Sequence, residues 1–158
     1  MSRGAGHGAM NEGEVELISI GASVAAGCRH CLSVHVREAR KWGVSDREMR
    51  SAMTRALWVR ESAQTVMERH GSRLLKLKIF ARDSAPQADP GPISEGPATR
   101  IGELVAIAAS FAVNCTATLE QHIASARAID VPEDEIKKAL DISRFVKGKA
   151  DSLCCKWL

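Results

Sequence analysis

The chain has 158 residues, 45% of them hydrophobic and 26% charged, which is enough to close one core without a metal or disulfide staple. Its formal net charge of +3 is too small to select nucleic acid as a partner. No segment approaches the roughly 18 apolar residues of a membrane span, and the opening MSRGAGHGAM lacks the apolar core of a signal peptide.

Residues 1–13, rich in Gly, read as a flexible tail. A small, apolar helix is predicted over about 14–26, and a second begins near Cys28 and runs to the break WGVS at 42–45. Ser45, with acidic residues after it, signals the N-cap of a third helix. There Met49, Ala52, Met53 and Ala56 recur with helical period. This helix is expected to continue to about residue 80 with a bend at Gly71. Its basic run, Arg69, Arg73, Lys76, Lys78 and Arg82, reads as a solvated face. Residues 81–98, dominated by Pro, Gly, Ser and Ala, read as an exposed linker.

After the linker the chain repeats itself. Shifting by 87 positions lays 16–61 on 103–148 without a gap, with 15 identities in 46 positions. This is an internal duplication. Glu16 recurs as Glu103, Cys28 as Cys115 and His35 as His122, whereas Cys31 meets Thr118 and His30 meets Ala117. The second copy occupies 99–158 and reads as three helices again, with Pro132 at the start of its third. No strand-like alternation appears. The expected fold class is all-α: two tandem three-helix repeats packed about a pseudo-twofold axis. Each half alone is too small to cover its apolar faces. Abundant Ala and few aromatics predict closely approaching helices, with further burial between chains in a homo-oligomer.

The chemistry concentrates in GCRHCLSVH, residues 27–35. Near the start of a helix, Cys28 and Cys31 lie one turn apart and His35 one turn further on the same face. Helix N-terminal N–H groups and the helix dipole favour a thiolate, the reactive form. The three-residue spacing lets the second sulfur close a disulfide on the first. His35 supplies a proton acceptor, and Glu16 is the candidate to orient its ring. A cytoplasmic setting is expected, where thiols are kept reduced and a close pair serves catalysis or metal binding. A c-type haem would need His where Leu32 stands. Zinc on Cys28, Cys31 and His35, completed by His70 or by Cys154 and Cys155, stays open, as does a non-redox acid–base site built on His35 and Glu16.

The pattern Glu16-x11-Cys28-x2-Cys31-x3-His35, in its Ala-rich three-helix repeat, resembles the active-site signature of the AhpD-like alkylhydroperoxidases of the carboxymuconolactone decarboxylase superfamily. The resemblance implies a thiol-dependent peroxidase. Cys31 would be the peroxidatic nucleophile, Cys28 the resolving thiol, Glu16 and His35 the proton relay, and His30 a further member of it. The implied partners are a hydroperoxide substrate and a thioredoxin-like or lipoyl dithiol reductant, and the implied assembly is a trimer of chains, equivalent to six half-units. The best-known two-repeat members carry their thiol pair in the second copy, the reverse of this chain. No cofactor is expected, since no flavin, haem or glycine-rich phosphate motif is present. Cys115 and His122 read as scaffold, Cys154 and Cys155 as packing, and Trp42, Trp58 and Trp157 as core or interface anchors.

Overall fold

The computed structural model describes residues 9–76 and 98–157. Among these, regular structure is helical throughout: α1 (Glu12–Ala26), α2 (Arg29–Lys41), α3 (Asp46–Leu74), α4 (Arg100–Ala112), α5 (Thr116–Ala128) and α6 (Glu133–Cys154), the last followed by a 3-10 turn. The first three helices and the last three are the two repeats. Most of the expected tail and nearly all of the linker, with Lys78 and Arg82, lie outside the described residues.

Local chemistry explains the boundaries. α1 starts two residues before its expected first residue because Asn11 caps it. The Asn11 side chain accepts from the Glu14 N–H while the Glu14 carboxylate accepts from the Asn11 N–H, a reciprocal capping box. Met10, assigned to a tail by the sequence, is buried instead. Ser45 and Glu48 repeat the same box at α3. α3 runs unbroken through Gly71, where a bend was expected.

The duplication is written into the backbone. Gly27 and its counterpart Asn114 both take left-handed conformations (φ 70° and 56°), as do Gly43 and Asp130 (φ 77° and 58°). Glycine and short polar side chains tolerate that region best. At the same turns Cys28 N–H donates to the Ser23 carbonyl and Cys115 N–H to the Ser110 carbonyl, at 3.0 and 3.1 Å.

The apolar first helices, α1 and α4, cross at the centre. A Cβ on Gly21 would sit 2.6 Å from Val105 Cγ1, so only glycine permits this approach. Ile18, Ile20, Leu104, Val105 and Ile107 are almost wholly enclosed there. Burying each such side chain is worth about 1.5–3 kcal/mol. α3 lies along α4, with Ala56 and Val59 against Ala106 and Ala109. α6 lies along α1 in the equivalent place, with Ala139, Val146 and Ala150 in the larger cluster. Two three-helix halves thus complete one core between them, which is the all-α tandem-repeat architecture expected.

Candidate active site

The α1–α2 junction places the thiols. Gly27 turns the chain out of α1, and Cys28 takes the N-cap position of α2 with extended backbone (φ −91°, ψ 96°). The Cys31 N–H donates to Cys28 Sγ at 3.2 Å, so this sulfur receives the helix-end hydrogen bond that a capping oxygen would ordinarily take. Cys28 and Cys31 are joined as a disulfide, Cα to Cα 5.3 Å. Cys31 is 4% exposed, while Cys28 is half-buried.

His35 follows Cys31 by one helical turn. Its Nδ1 lies 2.7 Å from Glu16 Oε2, both side chains largely buried. An ionised carboxylate can only accept, so with Glu16 in that form Nδ1 donates in that bond and Nε2 of a neutral ring is left as an acceptor. The structure therefore brings Glu16 to His35 and sets His35 on the Cys31 face of α2. His30 is exposed and stands outside the Glu16–His35 contact. Arg60, which the sequence reading passed over, donates from Nη1 to the Val24 carbonyl at 2.9 Å and lies beside Gly27, closing the end of α1 that leads into the thiols.

The second repeat holds a sealed copy of the same arrangement. Cys115 has the backbone of Cys28 (φ −96°, ψ 97°), and Thr118 is as buried as Cys31. His122 Nδ1 lies 2.8 Å from Glu103 Oε2. Two differences set it apart besides the missing sulfur. Arg55 donates from Nη2 to Glu103 Oε1 at 2.8 Å and from Nε to the Gly102 carbonyl, which neutralises the carboxylate. Trp58 stacks edge-on against His122 with ring centroids 5.7 Å apart, and His122 Nε2 is buried without a partner. In the first repeat's site the corresponding α6 residues are Ile142 and Phe145; Ile142 brings no charge and Phe145 is 72% exposed. Cys115 and His122 are buried, in keeping with scaffold. Arg55 was also passed over, although a charged residue between Ala52 and Ala56, opposite Ile142 in the other copy, was a visible signal.

The model of the carboxymuconolactone decarboxylase family matches residues 2–66 and 97–152. The chain belongs to that family. No curated protein and no solved structure matches it. The two matched stretches fall on the two repeats, so a unit of this family has been duplicated and only its first copy carries the CxxC pair.

One expectation is corrected here. Cys154 and Cys155 are free and exposed rather than packed; they fall past the last turn at which α6 meets the core. Trp42 is 59% exposed at the end of α2, whereas Trp58 is buried; the side chain of Trp157 lies outside the described ones. Among the described residues, no three His, Cys, Asp or Glu side chains gather into a cluster able to hold a metal ion, and His70 is exposed on α3. Nor is any described helix long and apolar enough to cross a membrane.

Proposed function

We propose that this carboxymuconolactone decarboxylase family member is an AhpD-like thiol peroxidase. The observation that carries the reading is a CxxC pair at the N-terminus of α2 with His35, held by Glu16 at 2.7 Å, one turn beyond Cys31. In the reduced state the Cys31 thiolate attacks the terminal peroxide oxygen. The O–O bond breaks, the alkoxide leaves as the alcohol with a proton delivered through His35, and Cys31 becomes a sulfenic acid. The Cys28 thiol attacks that sulfur, the S–S bond forms and water leaves. A thioredoxin-like or lipoyl dithiol returns the two electrons. His30, exposed beside the pair, is a candidate second proton carrier. The first repeat is the active unit and the second, degenerate unit its scaffold, in a cytoplasmic homo-oligomer, by analogy a trimer.

A non-redox lyase using His35 and Glu16 as base and acid is the second reading. The His122–Glu103 couple favours it, since that pair persists where the second thiol is gone. Cys31→Ser separates the two. The peroxidase reading predicts that dithiothreitol-coupled consumption of an alkyl hydroperoxide falls to background in this variant. The lyase reading predicts activity that survives it.

A further inference from the structure

We propose that Cys154 and Cys155 form an internal dithiol that reduces the Cys28–Cys31 disulfide and is then recycled by an external thiol. This rests on reading Cys28 and Cys31 as the redox centre. The first observation is accessibility: both thiols are free and exposed at the end of α6, whereas Cys28 is half-buried and Cys31 is 4% exposed.

The second observation is position. The 87-residue shift maps Cys154 onto Met67 and Ala26 onto Val113. Met67 and Val113 line one groove at the end of α4. The repeat accordingly assigns Cys154 and Ala26 to the equivalent positions at the end of α1, where Ala26 stands two residues before Cys28. Ala150 belongs to the larger core cluster, and Leu153, Ala26 and Cys28 all pack against that cluster. The adjacent thiols occur at the C-terminal end of α6, which runs along the thiol-bearing copy, while α3 has Met67 and Glu68 at those positions.

The exchange balances without another reagent. Cys154 thiolate attacks Cys28 Sγ, the more accessible sulfur of the disulfide, and Cys31 leaves as thiolate one turn from His35. Cys155 thiolate then attacks Cys154 Sγ and releases Cys28. Two electrons have moved from the 154–155 pair to the 28–31 pair, and a small external thiol such as glutathione reduces the vicinal disulfide where it is exposed. Closing that ring is easiest at a helix end, and Cys155 is the C-cap of α6.

The test uses the full chain, reduced and then oxidised with one equivalent of diamide, which makes disulfides whether or not the protein reacts with peroxide. Free thiols are alkylated and the linkages mapped by mass spectrometry. The expected result is a disulfide divided between 28–31 and 154–155 in the wild type, and a 28–154 link within one chain in Cys155→Ser. Reduction of 28–31 by glutathione should slow by at least about tenfold in the C154S/C155S variant. A 28–31 disulfide alone with Cys154 and Cys155 fully alkylated, a 28–154 link found only between chains, or an unchanged reduction rate overturns the proposal. Inertness to peroxide with this exchange intact would instead sink the peroxidase reading.

Discussion

At Glu103 the carboxylate is divided between His122 and Arg55, and at Glu16 the same group serves His35 alone. On the proposed mechanism, the difference sets which imidazole trades a proton. Glu103 is already balanced by a guanidinium inside the core, where breaking that pair would cost roughly 3–5 kcal/mol. Glu16 has His35 as its side-chain partner. Replacing Glu16 by Gln preserves shape but removes the charge, and peroxide turnover is expected to fall about a hundredfold, within the range a positioned acid–base group contributes. Stopped-flow assay of E16Q with thermal melting as a control checks this. An unaltered rate in a folded variant would remove Glu16 from the relay. Glu16 was legible in the sequence because it recurs in register with Cys and His. Arg55 was visible as a charge within an apolar stripe, opposite Ile142 in the other copy, but nothing local marks that it is paired across to the other repeat.

Between elements, the joint at the helix starts carries the polar load. Arg100 donates to Glu14 at 2.5 Å and to Glu135 at 2.6 Å, tying the beginnings of α1, α4 and α6 together. Glu135 is free for this because Pro132 caps α6 without a side-chain hydrogen bond, whereas its counterpart Glu48 is spent on Ser45. Partial burial pushes the Glu14 carboxyl up. The hydrogen bonds from Arg100 and the Asn11 N–H, with attraction to Arg100 and Lys138, outweigh that and hold it below the ordinary carboxylate range. A depressed folded-state pKa contributes stability that is present above the unfolded value of about 4.3 and lost as pH falls through the folded one. Glu14→Gln is therefore expected to lower the unfolding free energy by about 1 kcal/mol at pH 7, with the gap closing below about pH 4. Urea titrations at both pH values measure it, and a gap independent of pH would contradict the assignment. The capping signals at Ser45 were readable locally. The Arg100 joint was not, since it links residues 86 apart.

At the scale of the molecule, the duplication made the fold legible: a repeat at a shift of 87 residues, with helical period and matched turns, leaves few ways to bury two small apolar faces except against each other. The matched left-handed turns at Gly27 and Asn114 and at Gly43 and Asp130 are its backbone record. Less legible was the asymmetry, because exposure depends on packing across the axis. Trp58 covers one site while Phe145 leaves the other open, and Cys154 and Cys155 stand free where packing was expected. The central claim is that Cys28 and Cys31 act as one redox unit. It is tested most directly by mass spectrometry of reduced C154S/C155S chain before and after one equivalent of alkyl hydroperoxide. The account predicts loss of two hydrogens, mapped to a Cys28–Cys31 linkage. Thiols that remain free, or that gain oxygen separately without joining, would contradict it.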